Sequence, residues 1–474
     1  MEKLDAGGAI LRGMADDGGL YVPEAFPDIS GKLPYFLNIP YREAAKEILS
    51  LYLTDYTEAE LSDTVRQAYG GKFDTPDIAP LIEKAGYYFL ELFHGRTLAF
   101  KDMALSALPD LMETAARKRG MKEKIVVLTA TSGDTGKAAL EGFAGMDGID
   151  IIVFFPINGV SEMQKRQMQT QEGANTHVIG VYGNFDDAQT GVKRIFRDGI
   201  PDVFLSSANS INIGRLLPQI VYYVYAYAQM VKKYGLSIGA AVNFTVPTGN
   251  FGNILAGYYA KRMGLPVNKL ICASNDNVVL YDFFQTYQYD RNREFFTTAS
   301  PSMDILVSSN LERLLYHLSG SERTRLYMEQ LAESGLYKFT GEADGFAAAY
   351  ANQDECFKGI RELYESSGYI MDPHTAVAFK AYQKYRDISG DHTPNIILST
   401  ASPFKFPENV CASIDAKYAG LGAFESADIL KGLCGGYMPG QIASLGRKKI
   451  LHTEACMPAE MKTAVLKAIN KEGY

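Results

Sequence analysis

The feature that most constrains the fold is an alternation that begins at Gly86, in which short apolar runs are separated mostly by segments of helical length and period. The runs are YYFLELF, KIVVLTA, DIIVFFP, THVIGVY, NFTVPT and KLICAS. Strands that alternate with helices form βαβ units, whose strands lie parallel in a sheet covered by helices. The sequence therefore predicts an α/β fold with mainly parallel sheets.

The segment before this alternation has a different pattern. YREAAKEILSLYL, which begins at Tyr41, is helical in period, and Thr57 and Glu60 have the spacing of a capping box, in which each residue satisfies a free backbone amide of the other. These patterns predict a small N-terminal helical unit. We therefore divide the chain into a helical unit at 1–86, a smaller α/β unit at 87–212 and a larger α/β unit at 213–474.

Two later blocks interrupt the alternation. Residues 281–350 are polar and aromatic, and we expect helices there around one loop, TTASPSMD. After Tyr369 the sequence predicts a helix over DPHTAVAFKAYQKY, a strand over NIILSTA that can return to the earlier sheet, and a helical tail. The sequence has no repeat of fixed period and no low-complexity tract, so we expect the units to share surfaces rather than to hang on linkers.

The charge balance excludes several classes of partner. Lys and Arg number 47 against 55 Asp and Glu, a net charge of −8, so the chain has no basic footprint for nucleic acid or for an anionic membrane surface. The longest near-apolar stretch, Ile220 to Val231, is shorter than the ~18 residues of a candidate membrane span. The N-terminus carries acidic residues and lacks the apolar core of a signal peptide. We expect a cytoplasmic protein without a nucleic-acid or membrane partner.

The cysteines support neither a disulfide framework nor a metal site. They form an odd set without a C-x-x-C pair, as in proteins whose thiols stay reduced: Cys272, Cys356, Cys411, Cys434 and Cys456. His452 and Cys456 lie four residues apart and could share one helix face, but two ligands without a third make a weak metal site. We expect no bound metal.

Common nucleotide and hydrolase signatures are absent from the sequence, which has no G-x-G-x-x-G, Walker or G-x-S-x-G motif. Two strand-to-helix junctions rich in small residues remain, Thr131-Ser-Gly-Asp-Thr135 after KIVVLTA and Gly249-Asn-Phe-Gly-Asn253 after NFTVPT. At such a junction glycine lets backbone amides approach a ligand, and the helix N-terminus offers free N–H groups. Either junction alone is compatible with simple packing of a strand against a helix. Together they favour a site for two anionic groups.

Lys101 lies in LELFHGRTLAFKD, just beyond a strand-like run and at the start of an expected helix. A lysine among apolar residues loses solvation, which lowers its pKa and yields a neutral amine that can form a Schiff base with a carbonyl. Taken alone, Lys101 is compatible with a solvated surface position. Beside two anion-binding junctions it suggests pyridoxal phosphate, which needs an amine for its aldehyde and amides for its phosphate.

Motifs spread over nearly the whole chain resemble one family. In order they are GMADDGGLYVPEAFP, FHGRTLAFKD, ATSGDTG, GNFDDAQ, NSINIGR, VPTGNFGN, SPSMDI followed by VSSN, DPHTAV and STASPFKFP. The set is similar to threonine synthase, a family of fold-type II pyridoxal-phosphate enzymes, and several of the strings are specific to that family. The resemblance implies the fold-type II architecture, with two mainly parallel α/β subdomains and a small N-terminal helical unit.

The resemblance also implies an activity and its residues. The reaction is the conversion of O-phospho-L-homoserine and water to L-threonine and phosphate, the last step of threonine biosynthesis, by γ-elimination and β-addition of water. The cofactor is pyridoxal 5'-phosphate, with Lys101 as the Schiff-base lysine and the Thr400 hydroxyl at the pyridine nitrogen. The cofactor-phosphate loop corresponds to Gly249, Asn250, Phe251, Gly252 and Asn253. The loop that faces the substrate carboxylate and the ring 3-oxygen corresponds to Ser132, Gly133, Asp134 and Thr135, where Asp134 replaces the usual asparagine.

The substrate phosphate needs its own cationic clamp, for which arginine is suited because its donors form a fork. The candidates are Arg166 in SEMQKRQM and Arg215 in NSINIGR, with Asn209, Ser210 and Asn212 near the second. Each arginine is equally compatible with a surface or helix-end position. We expect a small-molecule substrate and a monomer or homodimer.

Two departures from the family pattern leave alternatives open. A Tyr-x-Ser-Thr-Arg-Gly-like strand is missing before Gly13, and Arg96 stands where the family has proline. We expect Arg96 to point to solvent. The alternative enzymes are a related phospho-lyase and a serine/threonine dehydratase on the same fold. A catalytically silent binding protein is the alternative from another class, and Lys101 with the intact GNFGN loop argues against it.

Overall fold

The computed structural model describes residues 3–470, apart from the side chains of Asp186 and Asn470. The strands in that range are β1 (Leu81–Lys84), β2 (Tyr87–Glu91), β3 (Lys124–Ala130), β4 (Ile149–Pro156), β5 (Thr176–Val181), β6 (Val203–Ser207), β7 (Val242–Pro247), β8 (Val267–Ser274), β9 (Gln288–Asp290), β10 (Leu336–Lys338), β11 (Phe346–Tyr350), β12 (Asn395–Ser399) and β13 (Ala455–Cys456).

The α-helices of the same range are α1 (Ala6–Arg12), α2 (Leu33–Phe36), α3 (Tyr41–Ser50), α4 (Glu58–Tyr69), α5 (Asp102–Leu105), α6 (Leu108–Lys118), α7 (Asp134–Phe143), α8 (Glu162–Gln169), α9 (Phe185–Asp198), α10 (Ile213–Tyr234), α11 (Gly252–Arg262), α12 (Val279–Thr286), α13 (Leu311–Ser334), α14 (Gln353–Ser367), α15 (Pro373–Ser389), α16 (Pro407–Ile414), α17 (Ala423–Leu433), α18 (Gly440–Ala443) and α19 (Met461–Asn470). None of the helices in the described range combines the length and the apolar character that a membrane crossing requires.

The larger sheet has six strands in the order β1-β2-β12-β7-β8-β11. Only the β1–β2 hairpin is antiparallel; the other pairs are parallel, with Thr245 of β7 opposite Ile397 of β12 and Ile271 of β8. Strands β7 and β12 are buried along their whole length, because α10 and α11 cover one face of the sheet and α15 covers the other. This arrangement confirms the parallel α/β architecture.

The smaller sheet has five parallel strands in the order β13-β5-β4-β3-β6. Its central strand β4 is buried along its whole length, with Val153 opposite Thr129 of β3. Helix α7 packs on one face, and α9 and α19 pack on the other. The C-terminal segment therefore returns to this sheet through β13.

The N-terminal helices pack on the long helix α10 of the core. The predicted capping box is present: Glu60 N–H donates to Thr57 Oγ1 (3.2 Å), and Thr57 N–H donates to Glu60 Oε2 (2.8 Å). Tyr41 is buried at the start of α3, where its ring meets the edges of Tyr69 and Tyr225 at 5.3 Å between centroids. These aromatic contacts join α3 and α4 to α10.

The block 281–350 is less helical than predicted. It contains the antiparallel pair β9–β10, in which the rings of Tyr289 and Tyr337 stack at 5.2 Å, and β11, the edge strand of the larger sheet. Strands of three residues are too short to show an alternation in the sequence. His452 and Cys456 do not share a helix face, because this segment is extended and ends in β13.

The division of the chain into units at 1–86, 87–212 and 213–474 stays a prediction. Hydrogen bonds between strands connect residues on opposite sides of the second boundary. Strand β2 falls within 87–212 but pairs with β12 in the larger sheet. Strand β13 falls within 213–474 but pairs with β5 in the smaller sheet. The two sheets are therefore connected by the chain more than once.

Candidate active site

A cleft lies at the carboxyl ends of strands from both sheets. The loops after β3, β6, β7 and β12 line it, together with the segment that carries Lys101 and the turn at 301–303. Such an edge is where ligands of parallel α/β sheets bind. The structure brings together at this cleft Lys101, Ser132, Asp134, Thr135, Ser210, Arg215, Gly249, Asn250, Phe251, Gly252, Asn253 and Thr400.

The turn from β7 into α11 is shaped to expose backbone amides. Phe251 has a φ of 63° and immediately precedes Gly252, the first residue of the helix. A β carbon on Gly249 would lie closer than 3.0 Å to the carbonyl oxygen of Ser302, so glycine is required there. Within the described part of the chain, the N–H groups of 249–253 donate to no protein acceptor. The turn is therefore a cradle for an anion.

Asn253 adds a side-chain donor to this cradle. Its Oδ1 accepts hydrogen bonds from the hydroxyls of Tyr222 (2.6 Å) and Tyr223 (2.9 Å). These bonds fix the amide so that Nδ2, which is buried at the cleft wall, has no protein partner among the described residues. A buried donor without an acceptor is costly unless a ligand supplies one.

Asn310, which the sequence analysis did not single out, is hydrogen-bonded to the loop that forms the cradle. Its Nδ2 donates to the carbonyl oxygen of Asn250 (2.9 Å) and to Ser210 Oγ (3.1 Å). The hydroxyl of Ser308 donates to the carbonyl oxygen of Gly249 (2.7 Å). These bonds join the loop after β7 to the loop after β6. Both residues belong to the VSSN motif, which was the sequence signal that could have identified them.

Lys101 directly precedes α5 and is only 7% exposed at the cleft wall. Its Nζ donates to Ser302 Oγ (3.2 Å), lies 3.8 Å from Asp134 Oδ2, and lies 4.5 Å from the centre of the Phe100 ring. Burial lowers the pKa of Lys101 to about 8, although Asp134 raises it; Arg215 lowers it further. A usable fraction of the amine is therefore neutral near physiological pH.

The segment before Lys101 is fixed to the end of β12. Thr97 donates through its N–H (2.8 Å) and its hydroxyl (2.6 Å) to the carboxylate of Asp102, and the N–H of Phe100 donates to the carbonyl oxygen of Thr400 (2.8 Å). Thr400 itself lines the cleft. The amine and the Thr400 hydroxyl are thus held on one rigid support.

The loop after β3 is held by its own hydroxyl. Thr131 Oγ1 accepts from the N–H groups of Gly133 and Gly136, both at 2.9 Å. Gly133 has a φ of 136°, where a side chain would be strained, and it does not line the cleft. Asp134 begins α7 inside the cleft, where its Oδ1 accepts from Gln164 Nε2 (2.9 Å).

The two candidate arginines lie in different places. Arg215 is buried at the cleft, its Nη1 donates to the carbonyl oxygen of Ala208 (2.6 Å), and its Nε has no protein partner among the described residues. Burial lowers its pKa to about 10, so it stays charged at neutral pH. The structure does not bring Arg166 to the cleft, because that side chain donates to the carbonyl oxygens of Gly446 and Lys448.

The two predicted asparagines do not line the cleft. Asn212 caps the start of α10 and donates to the carbonyl oxygens of Ile10 (2.9 Å) and Ser207 (2.9 Å). Asn209 Nδ2 donates to the carbonyl oxygen of Ala130 (3.0 Å). Through these hydrogen bonds both residues hold the loops that form the cleft wall.

Arg96 lies at the surface. Its side chain is 53% exposed and pairs with Glu141 at 3.2 Å. The guanidinium does not reach the cleft, in agreement with the expectation that it points to solvent.

His374 lines the cleft and is hydrogen-bonded to Ser302. The sequence analysis named neither His374 nor Ser302 as a site residue. The His374 Nε2 accepts a hydrogen bond from the backbone N–H of Ser302 (3.1 Å), so the ring proton is on Nδ1, which donates to Asp372 (2.6 Å). The ring therefore positions the backbone of Ser302, whose hydroxyl meets Lys101. The SPSMDI and DPHTAV strings carried this signal.

Lys405 was also missed, although a lysine between two phenylalanines in STASPFKFP suggests burial. It lies behind Asp134, and its Nζ is 3.0 Å from Asp134 Oδ1. Burial alone would raise the pKa of Asp134, but the ammonium groups of Lys405 and Lys101 outweigh it and hold that pKa well below its usual range. Asp134 is therefore a fixed negative charge beside Lys101.

Family models match most of the chain. The model described as pyridoxal-phosphate dependent enzyme matches residues 75–399, that of the threonine synthase N terminus matches 1–69, and that of threonine synthase, C-terminal, matches 375–433. The parallel sheets, the buried lysine and the amide cradle agree with the first of these. Fold and site thus define a pyridoxal-phosphate-dependent enzyme, with pyridoxal 5'-phosphate as its cofactor.

Relatives narrow this class. The threonine synthase of Pseudomonas aeruginosa is 41% identical over 416 residues, which are 85% of this chain and 86% of that protein. The human protein named threonine synthase-like 1 is 41% identical over 435 residues, 86% of this chain and 58% of that protein. The chain thus spans less than two thirds of the threonine synthase-like 1 relatives. The chain belongs to the threonine synthase family.

Solved structures agree with this membership. The PLP-bound threonine synthase from Brucella melitensis superposes with a TM-score of 0.85 at 36% identity, covering 98% of this chain and 97% of that one. Threonine synthase from yeast superposes with a TM-score of 0.88 at 32% identity, covering 99% and 97%. The family resemblance and the architecture predicted from the sequence are confirmed.

Proposed function

We propose that this chain converts O-phospho-L-homoserine and water to L-threonine and phosphate, using pyridoxal 5'-phosphate. The observation that carries the proposal is a single cleft that combines Lys101 with two separate anion-binding features, the amides of 249–253 and the guanidinium of Arg215. Cofactor and substrate each bring one phosphate, so two such features suit both molecules. The activity in the names of the relatives supports the same conclusion.

The residues of the cleft fit the cofactor. The N–H groups of 249–253 and the Asn253 Nδ2 are donors without a protein acceptor within the described range, and the Lys101 amine lies in the same cleft. The phosphate would lie at the N-terminus of α11, the aldehyde would bond to Lys101, and the Thr400 hydroxyl would bond to the pyridine nitrogen. When bound, the cofactor supplies a conjugated ring that takes up electron density from the substrate α carbon.

Lys101 is the residue that moves protons at the substrate α carbon. A base must be neutral before it accepts a proton, and a pKa of about 8 leaves part of the amine neutral at physiological pH. Ser302 Oγ and Asp134 Oδ2, at 3.2 and 3.8 Å from Nζ, restrict where the amine lies. Position of this kind matters as much as basicity, because the amine has to reach the α proton.

The atoms of the net reaction balance without a further reactant. The α carbon loses and regains a proton, and the β carbon gives up a proton and receives the hydroxyl of water. The γ carbon loses phosphate and gains a proton to become a methyl group. The second proton of water leaves with the phosphate.

Arg215 is the residue that holds the substrate phosphate. Its Nη1 is fixed by the carbonyl oxygen of Ala208, while its Nε is buried without a protein partner among the described residues. Negative charge grows on the phosphate as it leaves, and a fixed guanidinium stabilises that charge most. The hydroxyls of Ser132 and Thr135, which line the cleft at the N-terminus of α7, then bind the substrate carboxylate.

Product analysis tests this proposal. Purified protein loaded with pyridoxal phosphate is incubated with O-phospho-L-homoserine, and threonine and inorganic phosphate are measured together; we expect equal amounts. Phosphate without threonine would indicate a phospho-lyase, and oxo acid with ammonia from serine or threonine would indicate a dehydratase. No turnover by a protein with bound cofactor would indicate the silent binding protein.

The cytoplasmic location and the monomeric or homodimeric state stay predictions. All five cysteines are unpaired in the structure, which is what a reducing compartment favours. Light scattering on the purified protein would decide between monomer and homodimer.

A further inference from the structure

The proposed reaction assigns no role to Lys405, a buried cation close to the cleft. Lys405 ends the short turn Pro403–Lys405 after β12 and is fully buried, which is rare for lysine. Its Nζ donates to the carbonyl oxygen of Thr97 (2.9 Å) and to Gln167 Oε1 (3.0 Å), and it lies 3.0 Å from Asp134 Oδ1. These three acceptors match the three donors of an ammonium group, and Lys405 does not line the cleft.

Asp134 stands between Lys405 and Lys101. Its Oδ1 is held by Lys405 and by Gln164 Nε2 (2.9 Å), and its Oδ2 lies 3.8 Å from Lys101 Nζ. A carboxylate with a single cation beside it is free to turn both oxygens toward that cation and to shorten the pair. Because Lys405 holds one oxygen, Asp134 offers Lys101 only the other, at a longer distance.

We propose that Lys405 is a positioning residue: it holds Asp134 Oδ1 and the Thr97 carbonyl, so that the Lys101 amine stays near a carboxylate without being locked in a tight ion pair. The inference rests on the proposed function, in which Lys101 has to act as a free amine. An amine in a tight ion pair stays protonated, and a protonated amine neither bonds to a carbonyl nor accepts a proton.

Several charged groups face Lys101, and the sign of each charge determines whether its removal raises or lowers the pKa of Lys101. They are Asp134 on α7, Arg215 on α10, Lys405 after β12 and Asp372 before α15, and the ring of His374 lies at the same cleft. Burial lowers the pKa of Lys101 most, Asp134 and Asp372 raise it, and Arg215 and Lys405 lower it. Loss of the Lys405 charge therefore raises this pKa, both directly and through a closer Asp134. Loss of the Asp134 charge lowers it.

The test measures the protonation of Lys101 in the full chain freed of cofactor. Trace acetic anhydride labels neutral amines, and mass spectrometry of the Lys101 peptide gives a titration midpoint, which we expect near 8 in the unmodified chain. Lys405→Met should raise the midpoint by about one pH unit, and Asp134→Asn should lower it by about one. Lys137→Met is the matched control, because this half-buried lysine of the same region pairs with Glu141 and should leave the midpoint unchanged.

A midpoint for Lys405→Met that is equal to or below that of the unmodified chain would overturn the inference, and so would a loss of thermal stability without any shift. Removal of one member of a buried pair can prevent folding, so Lys405→Met combined with Asp134→Asn is the second variant, in which neither charge of the pair remains. It should fold and titrate within about half a pH unit of Asp134→Asn, because Lys405 acts mainly through Asp134. A larger separation, or a failure to fold, would contradict the inference.

No cofactor or substrate enters this titration. Its outcome is therefore independent of whether the chain makes threonine, which the product analysis decides separately.

Discussion

Replacing Gly249 by alanine is expected to weaken cofactor binding although it removes no charge and no hydrogen-bonding side chain. The new β carbon would lie closer than 3.0 Å to the carbonyl oxygen of Ser302 and 3.4 Å from the α carbon of Met303. Both are backbone atoms, so no side-chain rotation relieves the overlap. Either the amide cradle or the turn at 301–303 has to move, and that turn carries the hydroxyl that meets Lys101.

The size of the effect follows from the cost of overpacking a well-packed site, about 1–3 kcal/mol. If the cofactor-bound state bears that cost, the Kd for pyridoxal phosphate rises roughly 5- to 150-fold, since about 1.4 kcal/mol is tenfold. Gly440→Ala is the matched control, because Gly440 lies at the start of helix α18, outside the cleft, and has open space where the β carbon would be. We expect that variant to stay within roughly threefold of the unmodified Kd.

The assay is a titration of cofactor-free protein with pyridoxal phosphate, followed by absorbance. Thermal unfolding of the same samples without cofactor checks that each variant folds. A folded Gly249→Ala protein that binds the cofactor as tightly as the Gly440→Ala control would refute the reasoning about the cradle.

Three further outcomes follow from the same geometry. Arg215→Gln should lower kcat/KM for O-phospho-L-homoserine by roughly 10²-fold or more. Arg166→Gln, which changes a residue outside the cleft, should leave kcat/KM within roughly threefold. Equal losses in the two variants would contradict the proposal that Arg215 holds the substrate phosphate. Gly252→Asp should abolish cofactor retention, because a carboxylate at the start of α11 repels the phosphate, and unchanged retention would count against the cradle. Capture of pyridoxal phosphate by cofactor-free protein should accelerate as pH rises through about 8, where Lys101 loses its proton, and a flat profile would exclude that pKa.

The strand framework could be predicted from the sequence because buried parallel strands read as continuous apolar runs. KIVVLTA became β3 and NFTVPT became β7, and the loops after them form two walls of the cleft. The capping box of Thr57 and Glu60 could also be predicted, since it is a local sequence pattern. What these elements share is that their determining contacts lie within a few residues.

The rest of the site depends on contacts that the sequence does not encode locally. Lys101 meets Ser302 across 201 residues, and Ser302 meets His374 across 72. The choice between Arg215 and Arg166 likewise needed the tertiary structure, because both arginines lie in helices and only Arg215 lines the cleft. Sequence motifs named the strings that contain these residues, but only the fold shows which side chain points inward.

Borohydride reduction of the cofactor-bound protein, followed by peptide mapping, tests most directly the central claim that Lys101 anchors the cofactor in this cleft. We expect one modified peptide, with the pyridoxyl group on Lys101, and we expect Lys101→Ala to bind the cofactor only reversibly, to carry no label and to lose turnover. A label on another lysine of the region, such as Lys405 or Lys137, or normal turnover of O-phospho-L-homoserine by Lys101→Ala, would contradict the account.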